Sequence, residues 1–350
     1  MVLRPSRRQL TLAIAGLGVV AAITVASLVP VPYVILSPGP TLNTLGVLDH
    51  GRPLIQISGH RTYPATGHLN LVTVSYQGGP SGSFNVFTAL QAWLTPHDAV
   101  VPEAELFPPG QSAQQVTRQN TQEMASSQQT ATAAALCLLG VRFTTVYTVA
   151  AVEKGMPAAG VLRPGDVITA VDGTPVTCGH DPGTLIRPHR PGTAVALTVD
   201  RHGASRTFRL KTASLDGHAV VGVQVVENYK DFPFSVKISV GDIGGPSAGL
   251  MFALGIIAKL TPLNLAHGAF IAGTGEMLSA SGAVGAIGGI QQKMAGARDA
   301  GATVFLTPAA NCRDTAGAVP AGLRLVKVST LAGAVHALRA LAAGRSAPSC

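Results

Sequence analysis

The sequence predicts an α+β protein in three parts: an N-terminal transmembrane helix, a small β-barrel domain in the middle, and a C-terminal α/β domain. Three observations carry this. Residues 10–29 form a twenty-residue run without a charge; residues 145–212 hold short alternating strands with tight Gly-Asp and Asp-Gly turns; and residues 236–341 alternate strands with apolar helices. With 47% hydrophobic and 12% charged residues over 350, the chain has enough apolar material for two cores and is not a disordered polymer. The positive mean hydropathy traces to the one uncharged run and to many Ala, Val and Gly, so the body is not a multi-span membrane protein.

The uncharged run would make about 30 Å of helix, the thickness of a bilayer core. Arg4, Arg7 and Arg8 precede it. The positive-inside rule keeps those arginines in the cytoplasm and exports the body beyond the run. A cleaved signal peptide is the alternative, but the run exceeds a usual signal core and its one small-residue cleavage site, near Ala26, lies inside it. Pro30 and Pro32 then stop the helix. The expectation is a cytoplasmic N-terminus over 1–8, an anchor over 9–32, and an extracytoplasmic body held at the cell membrane by a single pass.

The net charge of +8 is scattered, with no basic stripe interleaved with aromatics, which argues against a nucleic-acid partner. Cys137, Cys178, Cys312 and Cys350 lie far apart without metal-ligand or redox-pair spacing, so no metal site is expected and most read as buried small apolar residues; one disulfide is possible in an exported body, and the pairings cannot be ranked.

From 33 to 144 the chain reads as an N-terminal α/β segment associated with the C-terminal α/β domain: an extended piece through 37–40, an alternating strand at 68–75, a Pro-rich loop at 102–110, and a helix at 112–139 ended by Gly140. From 145 to 214 the reading is a strand at 149–152, a short helix at 155–160, a turn and hairpin over 162–176, and strands at 193–200 and 207–212. The string Gly155-Met-Pro-Ala-Ala-Gly160-Val-Leu-Arg-Pro-Gly165-Asp-Val-Ile-Thr-Ala-Val-Asp-Gly173 resembles a bacterial PDZ domain. That resemblance implies a groove that takes an extended peptide as an added strand.

The proteolytic candidate spans 215–345, with strands at 236–240, 269–274, 303–307 and 323–328 and helices at 247–259, 289–300 and 330–341. Two motifs in it carry chemistry. Gly244-Gly245-Pro246-Ser247-Ala248-Gly249 opens an almost wholly apolar helix, where free amides and the helix dipole could stabilise an oxyanion. A helix cap is the plainer role for Ser247. Thr274-Gly-Glu276 is followed by a helix on which Ile290, Lys293, Met294 and Ala297 share one face. Lysine is scarce, seven in the chain, and one on an apolar stripe is out of place unless it snorkels. Desolvation lowers its pKa, and a neutral amine can take a proton from a serine.

Together the two motifs resemble the proteolytic domain of Lon peptidases. The resemblance implies Ser247 as nucleophile and Lys293 as general base, with Thr274 orienting the amine and Gly245, Pro246, Ala248 and Glu276 in support. Many Lon sequences carry an acid three residues before the serine; here Gly244 stands there and Asp242 lies two earlier. The PDZ-like domain, Lon-type α/β proteolytic domain and single anchor together resemble membrane-bound Lon-like serine peptidases of Gram-positive bacteria. This implies an ATP-independent endopeptidase without cofactor, acting on protein or peptide substrates, and by analogy a homo-oligomer. The sequence contains no G-x-x-x-x-G-K-(S/T) phosphate loop.

Two other readings stay open. Gly245 to Gly249 also fits the G-x-S-x-G elbow of α/β-hydrolases, with Asp314 and His336 downstream. A silent membrane-anchored adaptor that recruits peptide ends would also carry these domains.

Overall fold

The computed structural model describes residues 7–48 and 51–350, so Arg4 and the rest of 1–6 lie outside the described residues. The uncharged run folds as α1 (Arg7–Leu28), with no residue buried against the protein. It is the one helix among the described residues long and apolar enough to cross a membrane. Its last turn ends two residues before Pro30, as the prolines require.

After it come β1 (Tyr33–Asn43), β2 (Ile55–Ser58), β3 (His68–Gly78), α2 (Val86–Leu94), β4 (Ala99–Pro102), a single turn α3 (Glu103–Leu106) and the long α4 (Ala113–Leu138). The Pro-rich loop expected at 102–110 thus begins with a helical turn, entered directly from the proline that precedes it. Ser112 and Gln115 form a reciprocal capping box that fixes the start of α4.

The middle of the chain gives β5 (Thr144–Val152), β6 (Val167–Val171), β7 (Thr174–Pro175), α5 (Pro182–Ile186), β8 (Ala194–Arg201), β9 (Ala204–Lys211), β10 (Ala213–Leu215), β11 (His218–Val220) and β12 (Val223–Lys230). The short helix expected at 155–160 is a run of turns instead, with Pro157 inside it and positive φ at Gly155 and Gly160. Tyr147, Ile168, Val171, Leu197, Val199 and Leu210 fill the core of this sheet. Arg201 forks onto Asp166 at 2.7 Å and ties its edge together. Strand β12, expected within the proteolytic domain from 215, pairs antiparallel with β5 from Val223 to Lys230 and forms the outer edge of the order β12-β5-β6-β8-β9.

The remainder comprises β13 (Ser235–Ile238), α6 (Gly249–Leu260), β14 (Phe270–Gly273), β15 (Glu276–Met277), β16 (Val284–Gly285), α7 (Ile290–Asp299), β17 (Val304–Pro308), β18 (Arg324–Val328) and α8 (Leu331–Ala342). Its strands do not form a sheet alone. The order is β18-β17-β14-β3-β1-β4, parallel from β18 to β3, so both ends of the chain share one sheet and the middle domain is inserted between them. The period of two sorts its side chains by face. Leu69, Leu71, Ile271, Leu306 and Val326 pack with α4, α6 and α8, while Val72, Ala272, Phe305 and Leu325 pack with α7.

All four cysteines are paired. Cys137–Cys178 joins the last turn of α4 to the inserted domain, and Cys312–Cys350 ties down the C-terminus. The sequence allowed one bridge; folding brings together two pairs, each some forty residues apart, that spacing alone could not match.

Candidate active site

Ser247 sits in the loop that enters α6, half-exposed, at the mouth of a cleft of about 470 Å³. The loop is pinned from α4. Gly245 takes φ of 85°, where a side chain would be strained, and donates its N–H to the Asn120 carbonyl at 3.1 Å. The Ser127 hydroxyl donates to the Pro246 carbonyl at 2.9 Å. The Ser247 carbonyl in turn accepts from the Gly275 N–H at 2.8 Å and the Thr274 hydroxyl at 3.0 Å. These bonds on both sides of the serine leave it little freedom.

Ser247 is not the helix cap. The cap position is Ala248, without a side-chain bond, and the helix begins at Gly249, two residues later than expected. The Ser247 hydroxyl is turned instead to Lys293, whose Nζ lies 2.8 Å from Oγ. Lys293 is 4% exposed on the inner face of α7 and also contacts the Thr274 hydroxyl at 3.4 Å. Burial pulls its pKa down to about 8 from the usual lysine range. It does not snorkel. Among the described residues no carboxylate bonds its amine, and Asp242 borders the cleft without reaching it.

The amides of Gly249 and Leu250 are engaged, by Pro246 and Gly275. Among the described residues those of Ser247 and Ala248 have no hydrogen-bond acceptor, at the positive end of α6. Glu276 lies apart from the amine: it lines a separate cavity with Glu123, Ser127 and Pro246, where burial, and then Glu123, raise its pKa. Asp314 and His336 line no part of the serine cleft, and Asp314 accepts from Asn311 instead.

The cleft is walled by Leu36, Tyr76, Leu106, Phe107, Met124 and Ile243. Along its floor runs β3. That strand pairs with β14 only over His68–Leu71, so from Thr73 to Tyr76 the edge beside the serine carries no strand among the described residues. Asn120, Ser127 and this edge were not singled out by the sequence, because α4 is rich in Gln, Ser and Thr from Gln114 to Thr130 and nothing local distinguishes these two.

Comparison with known families agrees with this architecture. The family model for the PDZ domain matches residues 137–212, and that for the Lon protease (S16) C-terminal proteolytic domain matches residues 220–338. The chain thus carries a proteolytic domain of the Lon type. With the PDZ domain inserted ahead of it, the arrangement is that of a Lon-like protease with a PDZ domain. A protein of Neisseria meningitidis whose name calls it a zinc metalloprotease is 38% identical over 89 residues, which is 24% of this chain; the chain spans about a fifth of that relative's length, 19%. The PDZ domain of an SdrC-like protein from Listeria monocytogenes is 26% identical and covers 23% of this chain and 86% of its own, with a TM-score of 0.22. Its Listeria innocua counterpart, also 26% identical, covers 23% and 92%, with a TM-score of 0.22.

Proposed function

We propose that the chain is a membrane-anchored serine endopeptidase that works without ATP, through Ser247 and Lys293. The observation that carries this reading is the 2.8 Å contact between a serine hydroxyl and a lysine whose burial brings its pKa down to about 8. Neutral Lys293 takes the hydroxyl proton as the serine oxygen attacks a peptide carbonyl. The amides of Ser247 and Ala248 hold the oxyanion, and Lys293 returns the proton to the leaving amine as the C–N bond breaks. Water then attacks the ester as Lys293 takes its proton, the bond from the acyl carbon to Ser247 Oγ breaks, and Lys293 returns the proton to Oγ, releasing the acid. Thr274 and Gly275 act as positioning groups through the Ser247 carbonyl.

Substrate would lie along the open edge of β3, its backbone pairing with 73–76 and an apolar side chain against Tyr76 and Phe107. The PDZ groove, about 270 Å³ between α5 and the β5–β12 edge, would hold a second stretch of the same polypeptide. Two disulfides favour an oxidising compartment and thus an extracytoplasmic body. Zinc chemistry has little support, since among the described residues no three His, Cys, Asp or Glu gather as ligands.

The test is cleavage of an unfolded protein such as casein by the detergent-solubilised chain, without ATP. Ser247→Ala and Lys293→Ala should both abolish cleavage while keeping the wild-type fold by circular dichroism. Equal cleavage by all three proteins would remove the dyad, and loss on replacing His336 would revive the hydrolase triad.

A further inference from the structure

Among the described residues, none covers the outward face of α2. Phe87, Leu90, Trp93 and Leu94 are 44%, 48%, 73% and 78% exposed, while Ala89 and Ala92 face inward onto Ile35 and Phe84. The helix carries no charged residue over Val86–Leu94. Phe87, Leu90 and Leu94 recur at helical spacing, so the apolar face is one stripe, with Trp93 at its margin. Four large apolar groups left in water would be costly, each worth about 1.5–3 kcal/mol on burial.

The stripe is fixed beside the end of the anchor. Asn85 caps α2 through the N–H groups of Phe87 and Thr88, and its side-chain amide donates to the Ser27 carbonyl at 3.0 Å. Val31 donates its N–H to the Phe84 carbonyl at 3.0 Å. The first turn of α2 is thereby bonded to the last turn of α1, and the exposed apolar surface runs from Leu28 and Val29 onto α2 without a charged break. With α1 across a bilayer, Ser27 falls at the outer boundary of the hydrocarbon, the depth at which tryptophan is preferred.

We propose that α2 lies in the outer interface of the membrane, its Phe87–Leu90–Leu94 stripe in lipid and Trp93 at headgroup level, as a second contact that fixes the catalytic body on the bilayer. This rests on the anchor reading and not on the dyad. A lone helix would let the body swivel. The α2 contact would hold the serine cleft at a set height and tilt above the bilayer.

Trp93 is the chain's one tryptophan, so its emission reports this site alone. The full chain would be reconstituted in phosphatidylcholine–phosphatidylglycerol vesicles and its anchorage checked by carbonate extraction. The expected result is blue-shifted emission, quenched more by lipids brominated near the headgroup than near the chain end. Leu90→Ser with Leu94→Ser should return the emission to that of exposed tryptophan without releasing the chain. Water-like, unquenched emission from a carbonate-resistant chain would overturn the proposal. So would blue-shifted emission insensitive to bromolipid that fades on dilution into excess vesicles, the sign of contact between copies.

Discussion

Lys293 sets the chemistry, and its pH behaviour is dictated by its surroundings. Burial lowers its pKa to about 8, so the neutral base grows in as pH rises through 8, and kcat/KM should rise to a plateau above it. A flat profile between pH 6 and 9 would contradict the assignment. Stability has the same sign of dependence. Between about 8 and the usual lysine value the unfolded chain binds more protons than the folded one, so stability rises with pH there, and at pH 7 the charged form is a cost. Lys293→Met should therefore be more stable than wild type at pH 7, by about 2–3 kcal/mol, with the gap narrowing toward pH 10 in matched denaturant titrations. Thr274→Val should slow turnover roughly ten-fold and shift the pH midpoint, with Thr274→Ser restoring both. The serine and lysine were legible because their motifs are local and a lysine on an apolar stripe stands out. The clamps from Asn120 and Ser127 were not, since each acts across more than a hundred residues of chain.

At the scale of elements, helices with a clear cap, as for α4 and α8, or a clear apolar stripe, as for α7, were read to within a residue or two. The start of α6 was placed too early because Ser247 has the composition of a cap while its hydroxyl serves Lys293. The strand at 223–230 was not foreseen, since its membership depends on β5, more than seventy residues upstream. That strand also links the two domains. The Glu227 carboxylate accepts from the Tyr229 hydroxyl at 2.7 Å and from the Ala280 N–H at 3.1 Å, in the loop of the β15–β16 hairpin just after Thr274. The same residue lines the PDZ groove. Glu227→Ala should cost about 1–3 kcal/mol and speed amide exchange over 278–283, while leaving the PDZ core protected. Unchanged exchange in that loop would show that the bond does not hold the domains together.

For the whole molecule, the sequence foretold an N-terminal apolar helix, a PDZ domain and a Lon-type domain, but not which strands pair between distant segments. Parallel strands from opposite ends of the chain share one sheet, and no local pattern records which distant strand becomes a neighbour. The inserted PDZ domain is held to α4 by Cys137–Cys178, which closes a loop of about forty residues and is worth about 2–4 kcal/mol. Cys137→Ser with Cys178→Ser should lower the melting temperature, and reductant should lower that of the variant less than that of the wild type, since only Cys312–Cys350 remains to be broken. If cleavage of a short peptide survives the change while cleavage of long substrates falls, the PDZ domain serves delivery and not chemistry.

The most direct test of the Ser247–Lys293 dyad is to trap the acyl-enzyme. An activated peptide ester with an apolar acyl side chain would be mixed with the enzyme, quenched in acid within milliseconds to seconds, and the modified residue located by mass spectrometry. The expected result is one acyl group on Ser247 in the wild type, and acylation slowed by about 10²–10⁴-fold in Lys293→Ala. An adduct on any other residue, or one that forms equally fast without the lysine, would contradict the dyad.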